Sequence, residues 1–197
     1  DKLAMLHLDV NKTERRFTFK DIKRIAFSIV DGAGGGWKAK YELAKKLRKD
    51  HPNLDTVWLD DYFTPQKISR PDDIFAFRKQ LDKDGFKLAS VIYPDQEGIK
   101  PEFKGVLDLC DQVSVWFWHA KNIPVMKEKV RKLRDLVGPS KALLMGIYMW
   151  DFGGGRPVPD DLMRMQLETG RELMVERQLS GLLFHPTSLV SRKLSSI

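Results

Sequence analysis

Seven short apolar runs alternate with helix signals along this 197-residue chain, and that rhythm limits the folds open to it. The runs are LAMLHLD (3–9), IAFSIVD (25–31), DTVWLDD (55–61), KLASVIY (87–93), QVSVWFW (112–118), LLMGIYMWD (143–151) and SGLLFHP (180–186). Each is nearly continuous in hydrophobic content, as strands are when both faces are covered by helices. Between them lie helix signals. Trp37 to Asp50 is amphipathic and is stopped by His51-Pro52-Asn53. Ser69 can cap a helix that opens at Pro71-Asp72-Asp73 and ends at Gly85. Ile99–Cys110, Pro124–Val137 and Pro159–Gln178 supply three more.

Repeated strand–helix–strand units predict parallel strands joined by right-handed crossovers. An open doubly wound sheet and a closed barrel both satisfy the rhythm. The barrel is favoured because functional-looking residues end nearly every strand, not only those beside a switch point. The expectation is therefore one α/β domain over residues 1–197, a (β/α)8-type TIM barrel that is incomplete or has an atypical seam. The seam is placed at Val10 to Arg24, which is polar and too short for a comfortable crossover helix. No helix signal follows the last run.

Charge invites a nucleic-acid reading, since the net charge is +7. The positions of the basic residues argue against it. Lys38, Lys40, Lys45, Lys46, Arg48 and Lys49 fall on one helical stretch, and Lys127, Lys129, Arg131, Lys132 and Arg134 on another. Each stretch keeps an apolar stripe at helical spacing (Leu43, Ala44, Leu47; Val130, Leu133, Leu136), as the outer faces of amphipathic helices do. No nucleic-acid partner is expected. No membrane partner is expected either, because no apolar run approaches the length of a span. No signal peptide opens the chain at Asp1; compartment stays open, and a secreted or periplasmic place after signal removal is compatible. The single cysteine, Cys110, allows no internal disulfide and reads as a buried helix thiol.

The strand ends carry Asp9, Asp31, Asp60 with Asp61, Tyr93 with Asp95, Trp118 with His119, Trp150 with Asp151, and His185 with Thr187. In a parallel barrel these ends share one face, where active sites lie. For Asp9, Asp31 and Asp95, capping of the next helix explains the residue equally well. Asp60, Asp61 and Asp151 are flanked by aromatic rings and read as cleft carboxylates. Alternation puts Trp58, Asp60 and Tyr62 on one strand face and Val57, Leu59 and Asp61 on the other, so Asp60 faces the interior and Asp61 the rim. Indoles at strand ends beside acids suit the stacking of sugar C–H faces, and a single tryptophan also serves as core filler.

The LDTVWLDDYF run resembles a strand of bacterial glycosyl-hydrolase-like (β/α) barrels. In these proteins a D-G-[aromatic or aliphatic]-x-[LF]-D-D-Y-F sequence places acids in the sugar site. Here Leu54-Asp55-Thr56 stands where many members have Phe-Asp-Gly. What the resemblance implies is hydrolysis of glycosidic bonds, with Asp60 or Asp61 in the acid/base work. One carboxylic acid protonates the leaving oxygen, and a second carboxylate attacks the anomeric carbon or activates water. The expected catalytic residues are Asp60, Asp61 and Asp151. Those expected to bind substrate are Trp58, Tyr62, Tyr93, Trp118, His119, Trp150, Arg156 and His185. Sugar, linkage, stereochemical course and oligomeric state stay open.

Two glycine runs remain. Asp31-Gly32-Ala33-Gly34-Gly35-Gly36-Trp37-Lys38 follows a strand and precedes a helix, but its spacing fits neither the dinucleotide nor the P-loop template. Gly153-Gly154-Gly155-Arg156 reads as a mobile rim loop, with Arg156 able to meet an anionic sugar group. No cofactor is expected, and no His/Asp/Glu set has metal-ligand spacing. A barrel that binds glycans without cleaving them is the alternative function. A sugar-phosphate isomerase or aldolase is weaker, because no strand ends in a lysine suited to a Schiff base; Lys121 comes nearest.

Overall fold

A computed structural model describes residues 22–30, 36–64 and 70–185, together with the backbone of residues 3–6. The expectations for Asp9, Asp31, Thr187, Ser69, the seam and most of the first glycine run lie outside these residues. The chain forms two compact units, residues 1–91 with 106–111, and residues 92–105 with 112–197.

The first unit opens with β1 (Leu3–Leu6) and β2 (Arg24–Val30), followed by α1 (Trp37–Asp50), β3 (Leu54–Leu59), α2 (Ile74–Asp84) and β4 (Lys87–Ile92). Its strands pair in parallel and in chain order, with Met5 opposite Ala26, Phe27 opposite Val57, and Val57 opposite Leu88. Ile25, Phe27, Val57, Trp58, Leu59, Leu88 and Ala89 are all fully buried, which explains the unbroken apolar runs. Over them α1 and α2 meet through Trp37 and Tyr41, each edge-on to Phe77 at 5.1 and 5.2 Å. The Asp73 carboxylate accepts the Ala76 N–H and caps α2 in place of the expected Ser69, so the helix starts three residues later than Pro71. Gly85, at φ +71°, ends it in the left-handed conformation.

The second unit contains β5 (Gln112–Val115), α4 (Met126–Val137), β6 (Ala142–Tyr148), a hairpin of β7 (Trp150–Asp151) with β8 (Arg156–Pro157), α5 (Asp160–Val175) and β9 (Gly181–His185). The short α3 (Lys104–Leu109) precedes β5. Here β5, β6 and β9 are parallel, with Val113 opposite Leu143 and Met145 opposite Leu182. The fold class is thus α/β with parallel strands. Among the described residues four strands of the first unit and three of the second stand at the seven expected runs and are parallel within their unit, so the expectation holds in its incomplete form and a full eight-stranded TIM barrel is not formed. No helix among them is long and apolar enough to cross a membrane.

Three further corrections concern boundaries and charge. The fifth run leaves the strand after Val115, so Trp116, Phe117 and Trp118 lie beyond it. The sixth run splits: Trp150 and Asp151 pair antiparallel with Pro157 and Arg156, which takes Asp151 out of the parallel strand. Two of the basic residues assigned to solvated faces, Lys40 and Arg134, are buried. For Arg134 the reason is visible. Its guanidinium donates to the carbonyls of Gln178, Gly138 and Lys141, which lie in the connections after α5 and α4.

Arg134→Ala should remove the guanidinium bonds to these part-buried carbonyls and cost about 1–3 kcal/mol in urea unfolding. Lysine cannot reproduce the planar fork, so Arg134→Lys should recover only part of the loss. In the first unit Asp55 accepts from Arg24 Nε at 2.9 Å and from the Thr56 hydroxyl at 2.7 Å. Burial works to raise the Asp55 carboxyl, and Thr56, Arg24 and Lys87 outweigh it and hold it below its ordinary range. A carboxyl held low contributes stability at neutral pH that is lost as pH falls through the carboxylate range. Denaturant midpoints measured on acidification should therefore fall more steeply for the native chain than for Asp55→Asn.

Candidate functional site

In the first unit the DDYF segment forms the turn after β3. Asp60 is 8% exposed, and its Oδ1 accepts the Asp61 N–H at 3.1 Å. Asp61 sits at φ +54°, a left-handed geometry that aspartate tolerates better than most residues. Its carbonyl accepts from the Thr64 N–H and hydroxyl at 3.1 and 2.8 Å, which locks the turn. Arg70 lies over the half-buried Tyr62 ring, 5.1 Å from its centroid, and donates to the Tyr62 carbonyl. Burial raises the Tyr62 phenol above its ordinary range against the opposing pull of Arg70. Trp58 is completely buried, opposite Ser28 and Ala89 in register, and is a core side chain where a sugar contact was expected.

The second unit gathers more of the expected residues. Asp151 is buried, and its Oδ1 accepts the N–H groups of Ala120 at 3.1 Å and Gly154 at 3.0 Å. Asp95 accepts the His119 N–H at 2.8 Å, and its Oδ2 lies 3.3 Å from both His119 Nδ1 and Asn122 Nδ2. Two carboxylates thus hold consecutive amides, those of His119 and Ala120. Each satisfies a backbone donor just past the end of β5, where no ladder is left to take it.

Aromatic rings pack beside this segment. Trp118 is half-buried and stacks on Phe152 with centroids 4.8 Å apart at 29°. Tyr93 and Tyr148 present their edges to it at 6.1 and 6.5 Å. His185 meets the Tyr148 and Phe152 rings at 5.4 and 5.8 Å. Trp116 fills the space below at 4.7 Å from Tyr148, where Gly146 leaves room for its indole. Beneath Tyr148, Gln166 of α5 brackets the backbone, donating to the Tyr148 carbonyl at 3.0 Å and accepting its N–H at 3.3 Å.

The structure therefore brings Tyr93, Trp118, His119, Asp151 and His185 into one unit, while Asp60, Asp61 and Tyr62 belong to the other. Trp150 is buried at 8% exposure and offers little surface to a ligand. Arg156 is exposed beside Asp151 in the hairpin register. The loop read as mobile is instead pinned: Gly155 N–H donates to the Asp151 carbonyl at 2.8 Å, and Gly153 N–H to the Trp118 carbonyl at 3.1 Å. Two participants escaped the sequence reading. Asp95 stood among the strand-end residues with helix capping as an equally good explanation and so was not chosen for the site, and Phe152 carried no signal beyond its position between Asp151 and the glycines. Among the described residues no group of three or more His, Cys, Asp or Glu is placed to hold a metal ion.

No family model matches this chain. No curated protein matches it either. Among solved structures, a protein from Aquifex aeolicus VF5, described only as "Structural study of Project ID", has 13% identity with a TM-score of 0.39 over 80% of this chain and 81% of its own. A likeness that distant carries no function to this chain.

The hairpin glycines make the site's assembly testable. A Cβ on Gly153 would fall 1.9 Å from His119 Cδ2, and one on Gly154 2.3 Å from Asp151 Oδ2. Either alanine must displace a site side chain, at about 1–3 kcal/mol for overpacking. Gly155 has open space around its Cβ position and φ +65°, so Gly155→Ala meets only backbone strain, about 1–2 kcal/mol, and Gly155→Asn less. Urea unfolding of the three alanine variants, with spectra of His119, should show the ring disturbed by Gly153→Ala and untouched by Gly155→Ala.

Proposed function

We propose that this chain is a glycoside hydrolase-like protein built on an incomplete (β/α) barrel, with its sugar site in the second unit. The observation that carries the reading is the half-exposed Trp118, backed by Phe152 and edged by Tyr93 and Tyr148, next to the carboxylate of Asp151. A rigid aromatic face of this kind packs against the C–H side of a pyranose at little conformational cost, because its neighbours already fix the ring. Asp151 supplies one carboxylate for the two-group chemistry of glycoside cleavage. The N–H groups of Ala120 and Gly154 both donate to its Oδ1 and fix the carboxylate's orientation, which suits a group that must be held in place beside the anomeric carbon or an attacking water. The resemblance of LDTVWLDDYF to the sugar-site strand of hydrolase-like barrels points to the same substrate class, although Asp60 and Asp61, to which it assigns acid/base work, lie in the first unit.

The second reading is a carbohydrate-binding protein without hydrolysis. It is favoured by the way Asp60 and Asp151 each commit an oxygen to nearby main-chain N–H groups, as structural carboxylates do. A glycan panel separates the two. Trp118→Ala should weaken sugar binding roughly tenfold or more, equivalent to about 1.4 kcal/mol. Asp151→Asn keeps the acceptor oxygen and removes the charge, so it should lower hydrolysis by about 10²-fold or more with binding retained. Hydrolysis absent from the native chain, with Trp118-dependent binding intact, selects the second reading. Binding insensitive to Trp118→Ala removes both.

A further inference from the structure

We infer that Asp95 and His119 form a proton-transfer pair at the site of the second unit. In this pair Asp95 fixes the Nδ1–H tautomer of His119, and Nε2 is offered as the proton acceptor. The placement of the pair at a sugar site rests on the reading above; the state of the imidazole does not.

The argument begins with the carboxylate. The Asp95 side chain is 2% exposed, so it cannot itself meet a substrate. Its Oδ2 already takes the His119 main-chain N–H at 2.8 Å and faces Asn122 Nδ2 at 3.3 Å, both obligatory donors. A carboxylate flanked by donors is kept as an acceptor, and Nδ1 of His119, 3.3 Å from the same oxygen, satisfies it only as Nδ1–H. The neutral ring then carries its lone pair on Nε2. The other carboxylate oxygen, Oδ1, is buried with no hydrogen-bond partner among the described residues, an expensive arrangement for a merely structural acid.

The ring itself is held and yet reachable. Its Cδ2–Nε2 edge lies against Gly153, where a Cβ would come within 1.9 Å of Cδ2 and 2.4 Å of Nε2. The side chain remains 34% exposed. It follows Trp118 in sequence, and the next amide is bound by Asp151. A base oriented through its far nitrogen by a buried acid is the arrangement that general acid–base chemistry needs. In the step, a water O–H bond breaks as the Nε2–H bond forms, the water oxygen bonds to the anomeric carbon, and the bond from that carbon to the leaving oxygen breaks. The imidazolium charge is balanced by Asp95, and Nε2 then gives its proton to the departing oxygen, which restores the ring. Asp95 is here a positioning residue, and His119 touches the substrate.

Nitrogen-15 NMR of the histidine side chains in the full chain tests the pair directly. In the neutral form of its ring, followed by raising the pH until the imidazole carries one proton, native His119 should show a protonated Nδ1 and a lone-pair Nε2. Asp95→Ala should release the ring to the Nε2–H form. Asp95→Asn, which keeps an acceptor oxygen, should preserve the native tautomer. A native spectrum showing Nε2–H overturns the inference without any variant, so a misfolded Asp95→Ala would not rescue it. Titration with a glycan that binds through Trp118 should move the Nε2 resonance of His119; binding that leaves it unmoved overturns its placement at the site. If hydrolysis is found, Asp95→Ala should cut kcat by about 10²-fold with KM little changed, and an unchanged kcat overturns the catalytic assignment. Absence of hydrolysis on every glycan counts against the hydrolase reading, while the native tautomer still decides the pair.

Discussion

Strands buried on both faces leave no place for charge except at their ends, and the chemistry of this chain follows from that constraint. Ile25, Phe27, Val57, Leu59, Leu88, Val113, Val115, Leu143, Met145 and Ile147 are all essentially inaccessible. A charge set among them would face a desolvation cost of several kcal/mol. Just past the strand ends the ladder stops and main-chain N–H groups lose their partners. Asp60, Asp95 and Asp151 each accept such donors: Asp61 in one case, His119 in another, Ala120 and Gly154 in the third. One device thus closes three loops and leaves three buried carboxylates with fixed orientations just past the strand ends.

The same economy governs the aromatic residues. Trp58 and Trp116 are spent on the interior, the latter donating its indole N–H to Ser114 Oγ at 2.8 Å. Trp118, two positions beyond Trp116 and outside the strand, keeps part of its surface. Both indoles lie beyond β5, so what separates the core indole from the candidate binding face is its surroundings: Trp116 sits in the space left by Gly146 and bonds to Ser114, whereas Trp118 rests on Phe152. Gly146, Gly153 and Gly154 matter for a related reason: each stands where a side chain of the unit, Trp116, His119 or Asp151, needs the volume of a Cβ.

Much of the framework was legible from residue order. The strand–helix rhythm, the limits of α1, the Gly85 stop and the burial of Cys110 all rest on local patterns that one element satisfies by itself. The hairpin at Trp150–Pro157 was not legible, because apolar content continued through Met149 and Trp150 with no turn residue before Gly153. Lys40 and Arg134 were misplaced because helical periodicity says which face a residue occupies but not whether that face is covered by the rest of the fold, as the carbonyls bound by Arg134 illustrate.

The sequence by itself determined the alternation of buried strands and amphipathic helices, and hence parallel pairing and carboxylates and indoles at strand ends. These depend on period, burial and caps, which are local properties of the chain. Only the tertiary structure decided which ends meet: Asp95 with His119, Asp151 with Ala120, and Trp118 with Phe152. Those pairs are separated by between 24 and 34 residues, and no local rule ranks one strand-end aspartate above another. The choice is made where unpaired backbone donors, buried carboxylates and the room left by glycines can all be satisfied at once.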